Sequence, residues 1–268
     1  IPLYDASREG GFGGSSEPIE NSITLNVPGI NTLIENSTVV NRVLANVYGE
    51  LEIAKSLNFR TSLQYDETSI TDELFVPEYD LGYFFPGPTS RYQVGTRNSS
   101  SFLIENTLTY EKVFGDHDLK ILAGQTFQEF DFREIVTFGA GLPKPYKRTL
   151  SAAASVSASD NQQPAALGSF LGRLNYAYKD RYLITFNMRS DGSSKFREEN
   201  RRENFWSLGA AWKIHNNFTM PAFISELKLR GGVGQVGNQE IGNFRYYGTN
   251  NRSIPYQYGA GAQLIGSA

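Results

Sequence analysis

The chain has 268 residues, a formal net charge of -3, a sequence pI of about 5.6 and no cysteine. Disulfides, thiolate metal sites and cysteine nucleophiles are therefore excluded, and the lack of a basic tract argues against a nucleic-acid partner. No apolar run reaches the roughly 18 residues of a membrane helix, so the mean hydropathy of -0.37 fits either a soluble all-β protein or an outer-membrane barrel.

Alternation of apolar and polar residues predicts strands in the first half of the chain, since successive side chains of a strand point to opposite faces. Residues 1–38 are rich in Gly, Ser, Asn and Pro and are expected to be loop. Asn106 interrupts the apolar face of one strand. The predicted strands lie at about 39–53, 58–66, 101–111 and 119–130. Long loops are expected between them and after them, at about 67–100 and 131–168.

The second half contains the clearest pattern, the hairpin LGRLNYAYKDRYLITFNMRSDG at 171–192. Two alternating runs of about ten residues flank the turn Lys179-Asp180-Arg181. Such strands are longer than the five or six residues usual in soluble proteins, and they fit a tilted strand crossing a bilayer. Further strands are predicted at about 205–214 and 227–237, and loops at about 191–204 and 238–268.

The distribution of charge predicts which face of each strand meets lipid. A charged side chain on the lipid face costs roughly 2–4 kcal/mol at mid-bilayer, so charged faces should line a hydrated lumen. The residues expected to contact lipid are Leu174, Ile184, Phe186 and Leu208. The residues expected to face the lumen include Arg60, Arg173, Asn187, Arg189, Lys213 and Arg230. With this facing, Tyr110, Tyr176, Tyr178, Tyr182 and Trp212 gather at the short-turn end, as in an aromatic belt.

Residue patterns that support catalysis are weak. GGVGQVG at 231–237 matches a dinucleotide fingerprint, but no helical pattern follows it. His117 and His215 fall in turns without ligand-spaced partners and are expected to be solvated, so no metal, cofactor or catalytic activity is predicted. Exposed aromatic rings on a long loop can stack on sugars or hold peptide side chains, as well as pack on each other. The candidate substrate-binding residues are Tyr79, Tyr83, Phe84 and Phe85.

Three segments carry a family resemblance: FLGRLNYAYKDRYLITFNMRSDGSSKF at 170–196, FWSLGAAWKI at 205–214 and LKLRGGVGQVGNQEIGNF at 227–244. They resemble the SusC/RagA-type TonB-dependent outer-membrane transporters. The resemblance implies a barrel of about 22 strands, an N-terminal plug, a TonB-contacting segment and a SusD-like surface lipoprotein that closes over the barrel and captures glycans or peptides. About eight strands are predicted here, with no plug or TonB-contacting segment, so residues 1–268 are expected to be an internal barrel segment with long extracellular loops.

The sequence therefore predicts an all-β, antiparallel transmembrane barrel segment in the bacterial outer membrane, without enzymatic activity. Its expected role is TonB-dependent import of oligosaccharides or oligopeptides, with TonB acting through a part of the chain not present here. Two alternatives remain open at this point: a self-contained structural or adhesive barrel of about eight strands, and a soluble all-β carbohydrate-binding module. A requirement for detergent separates the barrels from the soluble module, and the length of the parent gene separates the two barrels.

Overall fold

The computed structural model describes residues 3–15, 25–221, 223–239 and 241–243. One short helix, α1, spans Val27–Leu33. The strands are β1 (Glu35–Ala54), β2 (Leu57–Val76), β3 (Tyr79–Asp80), β4 (Pro86–Gly87), β5 (Arg91–Phe114), β6 (His117–Ala140), β7 (Ser155–Gln162), β8 (Ala165–Tyr178), β9 (Tyr182–Ser193), β10 (Arg202–Lys213) and β11 (Lys228–Gly234). Single 3-10 turns lie at Leu150–Ala152, Glu198–Asn200 and Ile214–Asn216.

Nine of the strands form one sheet in the order β1-β2-β5-β6-β8-β9-β10-β11, with β7 also paired to β6. The pairings of β6 with β7, and of β8, β9, β10 and β11 in turn, are antiparallel. The predicted all-β, antiparallel architecture is confirmed. The ninth strand arises because two successive strands, β7 and β8, both pair with β6. They are separated by Gln163 and Pro164, and proline has no N–H to donate to a ladder.

Two long segments that were expected to be loops are largely strand. β2 continues to Val76 and β5 begins at Arg91, which leaves only 77–90 of the predicted loop 67–100 outside the main sheet. In the same way β6 runs to Ala140, and β7 and β8 occupy much of 131–168. Apolar residues in these stretches are sparse or fall on both faces, as at Leu74 and Phe75 or Ile135 and Val136, so the period-two contrast is blurred although the backbone remains paired.

Smaller differences occur at the other predicted loops. The loop at 191–204 is shorter than expected, because Gly192 pairs with Arg202 and Asp191 with Glu203. Residues 1–38 include α1, which begins where Asn26 Oδ1 accepts a hydrogen bond from Gly29 N at 3.0 Å. Of the predicted loop 238–268, only 238, 239 and 241–243 belong to the described residues.

The chain forms two compact units, each assembled from segments that are separate in sequence. Unit 1 comprises 1–46, 64–102 and 130–164, and unit 2 comprises 47–63, 103–129 and 165–268. In unit 1 a small core forms from Phe75, Tyr92 and Leu142, against which Val94, Tyr146 and Leu150 pack. In unit 2 the hairpins β8–β9, β9–β10 and β10–β11 form the sheet. Among the described residues, no helix has the length and apolar character needed to span a membrane.

Candidate functional site

The register of unit 2 places the predicted apolar residues in cross-strand rows on one face. Leu174 lies opposite Phe186, and Phe186 lies opposite Leu208. In the neighbouring row Tyr176 lies opposite Ile184. Residues directly opposite each other share a face. The Ile184, Phe186 and Leu208 side chains are 42%, 37% and 43% exposed, so this apolar face has no protein covering it within the described chain.

The opposite face of the same strands carries a hydrogen-bonded polar row. Arg173 Nε donates to Asn187 Oδ1 at 2.7 Å, and Asn187 Nδ2 donates to Ser207 Oγ at 3.0 Å. One row further along, Arg189 Nε donates to Asp191 at 2.5 Å, and Arg189 also donates to the buried Ser169 hydroxyl at 3.2 Å. The structure therefore brings together, on one face, the side chains that were expected to line the lumen.

The remaining predicted lumen residues lie on the same type of face. Arg60 forms an ion pair with Glu50 at 3.2 Å. Lys213 Nζ donates to Asp180 at 2.6 Å, and this hydrogen bond lowers the pKa of the Asp180 carboxyl in the β8–β9 turn. Arg230 is paired in register with Ala211. Most of these cations therefore have an anionic or polar side chain as a partner, which offsets part of their positive charge.

A second polar network, which was not predicted from the sequence, lies in unit 1. Thr38 Oγ1 donates to Asp72 at 2.7 Å, Arg97 lies 3.0 Å from the other Asp72 oxygen, and Arg97 Nε donates to Glu134 at 2.7 Å. These side chains come from β1, β2, β5 and β6. The network joins residues that are far apart in sequence, so only the strand pairing could have revealed it. It stabilises sheet in the stretches that were expected to be loops.

A polar pair also lies on the apolar face of unit 2. Thr61 Oγ1 on β2 donates to Asn106 Oδ1 on β5 at 2.8 Å. Asn106 interrupts the alternation of its own strand. Its partner, Thr61, lies on the face that also carries Phe59 and Leu63. The Asn106 side chain is therefore hydrogen-bonded by the neighbouring strand, and its own strand keeps the same facing.

The four aromatic candidates of the loop 77–90 divide into two groups. Tyr79 packs against the backbone, because a Cβ added at Gly87 would lie 2.5 Å from the Tyr79 ring. Phe85 is also half-buried. Tyr83 and Phe84 are 58% and 43% exposed, and their rings form an edge-to-face pair with centroids 5.2 Å apart. Of the four candidates, these two rings are the most exposed.

The backbone that presents this ring pair is fixed by several contacts within unit 1. Asp80 accepts from Arg8 at 3.1 Å and from Gly82 N at 2.9 Å, while Tyr83 N donates to Ser15 O at 2.9 Å. Gly82 has a φ of 106°, and a Cβ there would lie 2.5 Å from Ser15 N. The intervening Leu81 is 1% exposed. The Tyr83–Phe84 pair is thus preorganised.

A lysine ties neighbouring loops of unit 1 together. Lys144 Nζ lies 2.8 Å from Glu78 and 2.9 Å from Glu9. Hydrogen bonds to Glu78 and Glu9 raise the pKa of Lys144, so the ammonium stays charged at any physiological pH. Ser90, which is fully buried, accepts from Leu142 N at 2.8 Å. These contacts limit the motion of the loop that carries the aromatic pair.

The environment of His117 in unit 2 differs from the prediction. His117 was expected to be solvated, but its Nδ1 lies 2.6 Å from the Tyr176 hydroxyl and its ring stacks on Phe114.

An open pocket of about 770 Å³, which the sequence did not predict, lies in unit 2 at the end of β9 and β10 away from the β8–β9 turn. Its lining combines charged, amide and aromatic groups, including Arg189, Asp191, Glu203, Phe205 and Gln235. Strand and post-strand residues meet there, which no local sequence signal indicates.

Comparisons with known proteins were made for the whole chain. No family model matches it. TonB-dependent receptor SusC of Bacteroides thetaiotaomicron is 37% identical over 215 residues, covering 76% of this chain and 20% of that protein. TonB-dependent receptor P26 of Formosa agariphila is 28% identical over 261 residues, covering 92% of this chain and 25% of that protein.

The fold has solved counterparts. The structure of the RagAB peptide transporter superposes with a TM-score of 0.78 at 22% identity, over 90% of this chain and 27% of that chain. A structure of the RagAB peptide importer in its open-open state gives a TM-score of 0.73 at 23% identity. The chain spans a quarter or less of the length of the two curated relatives above.

Proposed function

Because the chain is homologous to one segment of the SusC-type TonB-dependent receptors, we propose that it forms part of the barrel wall of an outer-membrane importer. The observation that carries this proposal is the division of the sheet into two faces. Ile184, Phe186 and Leu208 form an uncovered apolar surface, whereas Arg173 and Asn187 are hydrogen-bonded on the reverse side. A lipid exterior and a hydrated lumen are the surroundings that suit both faces.

The strands are longer than a bilayer crossing requires, which supports the proposal that part of the sheet projects beyond the membrane. β5 and β6 each contain 24 residues, whereas a tilted strand crosses the hydrocarbon core in roughly 9–11 residues. The stretches 91–100 and 131–140 are still strand. We place them, together with the loops 77–90 and 141–154, on the extracellular side. Cleavage of these loops by protease added only from the periplasmic side would contradict this sidedness.

The proposed substrate is an oligosaccharide or an oligopeptide that contacts the Tyr83–Phe84 pair before it enters the lumen. The structural counterpart RagAB is a peptide transporter, and aromatic rings serve either class, by stacking on sugars or by holding apolar side chains. The open pocket near Arg189 and Phe205 is a separate candidate contact for the same class of substrate.

Removal of the exposed ring pair is expected to weaken ligand capture. In the full-length parent protein, Tyr83→Ala with Phe84→Ala should lower the affinity for the transported ligand about tenfold or more, since each stacked ring contributes about 1 kcal/mol. Binding by titration calorimetry and uptake by cells are the measurements. The matched control is Phe218→Ala, because Phe218 is also 58% exposed but follows the turn Ile214–Asn216. Equal affinity of the double variant and the control would reject the binding role.

The partners of the proposed importer are a SusD-like surface lipoprotein lid and TonB, which would act through a part of the protein outside residues 1–268. The homology to SusC-type receptors supports both. Tagged full-length protein should co-purify with a lipoprotein from detergent-solubilised outer membranes. Its purification without any lipoprotein would count against the lid. We infer no catalysis and no cofactor, and turnover by the pure full-length protein would contradict that inference.

A further inference from the structure

A groove of about 640 Å³ lies on the apolar face of unit 2, where that face ends next to the loop 194–201. Its lining includes Phe127, Gly168, Phe170, Gly192, Glu198 and Arg202; we name it the Arg202 groove. Gly168 lies opposite Gly192, and Gly192 lies opposite Arg202. Two successive strands therefore present no side chain at this level, which leaves bare backbone beside the arginine.

The Arg202 guanidinium is held against apolar and neutral groups. Its Cζ lies 5.5 Å from the centre of the Phe170 ring, and one of its nitrogens donates to Ser190 Oγ at 3.3 Å. The ion pairs found among the described residues include none for Arg202, in contrast to Arg60, Arg97 and Arg133. A planar guanidinium with remaining N–H donors is suited to a bidentate contact with phosphate.

Between Arg202 and the β8–β9 turn, the surface of this face is apolar. Beyond the Phe170–Ser190 row lies a row in which Gly172, Met188 and Trp206 are opposite one another. Phe170, Met188 and Trp206 are 53%, 50% and 41% exposed. A molecule that satisfies the arginine and also covers these side chains needs both an anionic head and a hydrocarbon portion.

We propose that the Arg202 groove binds the phosphate of a lipid in the outer leaflet, with an acyl chain lying over Phe170 and Met188. This inference rests on the proposed function, because it needs the apolar face to contact the bilayer. A free phosphate ion would not use the apolar rows. Glu198 and Glu199 also line the groove, and Glu199 lies 4.0 Å from Arg197. The Glu198 carboxylate repels a phosphate, so neutralising Glu198 should strengthen binding, which provides a second test.

The experiment uses the full-length parent in detergent, titrated with lipid A and observed by native mass spectrometry. Arg202→Gln should reduce the retained lipid A about tenfold, by loss of one charge-assisted contact. Glu198→Gln should increase it. The control is Arg173→Gln, which removes an arginine from the polar face and should leave retention unchanged. Dephosphorylated lipid A should bind the unaltered protein as weakly as lipid A binds Arg202→Gln.

Wild-type retention by Arg202→Gln, or displacement of lipid A by inorganic phosphate at equal concentration, would overturn the proposal. The facing of Ile184 is measured separately, as described below. If Ile184 contacts lipid and Arg202→Gln still retains lipid A, the lipid site alone is wrong. If Ile184 does not contact lipid, the proposed function fails as well.

Discussion

Ile184→Arg in the full-length parent is expected to reduce assembly into the outer membrane. Ile184 lies on the exposed apolar face one row inside Tyr182, opposite Tyr176 and Ala210. An arginine on the lipid face costs roughly 2–4 kcal/mol at the bilayer midplane and less towards the interfaces, and a typical folding free energy is only about 5–15 kcal/mol. The measurement is the amount of heat-modifiable, membrane-embedded protein in outer-membrane fractions.

The adjacent position provides the matched control. Thr185 is next in the chain but lies on the polar face, where its Oγ1 donates to Asn175 at 3.0 Å. Its cross-strand neighbour Gly209 has no side chain, so a long arginine can extend into a hydrated lumen. Thr185→Arg should therefore assemble at close to the wild-type amount. Equal assembly of the two arginine variants would show that the facing is wrong.

Residues 1–268 expressed alone are expected not to refold into a stable monomer. The two ends of the main sheet are β1 and β11, which do not pair with each other within the described residues. Every residue of both strands is exposed. Each unsatisfied backbone N–H or C=O at such an edge costs several kcal/mol in lipid. We therefore predict that residues 1–268 alone leave both edges unsatisfied.

Refolding in detergent, followed by gel filtration and thermal melting, measures this expectation. The full-length parent, treated identically, is the control and should refold to a species with a cooperative melt. The segment should instead aggregate or melt without cooperativity. A monomeric segment with a cooperative melt would favour the self-contained barrel of about eight strands, and solubility without detergent would favour the soluble carbohydrate-binding module.

The hairpin of β8 and β9 shows what the sequence can predict. Its apolar and polar residues alternate sharply, so its turn and the residues that share a face follow from the side-chain period, although β8 begins at Ala165, inside the predicted loop 131–168. The register then places Leu174, Phe186 and Leu208 on one face, as the alternation predicts, and adds that they form a single row. Where apolar residues are sparse or fall on both faces, as in 67–76 and 91–100, the same rule gives only a weak signal and predicts loop instead of strand.

The candidate site was predicted in part. The loop at 77–90 could be recognised from its prolines and aromatic residues, but not which rings would be exposed. Tyr79 is packed because Gly87 approaches it from β4, and Tyr83 is exposed because Gly82 reverses the backbone beside Ser15. Both outcomes depend on segments brought together by folding. The Thr38–Asp72–Arg97–Glu134 network depends on strand pairing for the same reason.

The hydrogen bond between Thr61 and Asn106 has a consequence for how the sheet chooses its alignment. A slip of β2 against β5 by two residues keeps every side chain on its original face, so the apolar pattern does not oppose it. That slip would separate Thr61 Oγ1 from Asn106 Oδ1, which are 2.8 Å apart. In the lipid environment that we propose, both groups would then lack a partner. The pair therefore selects one alignment among those that hydrophobicity alone treats as equivalent.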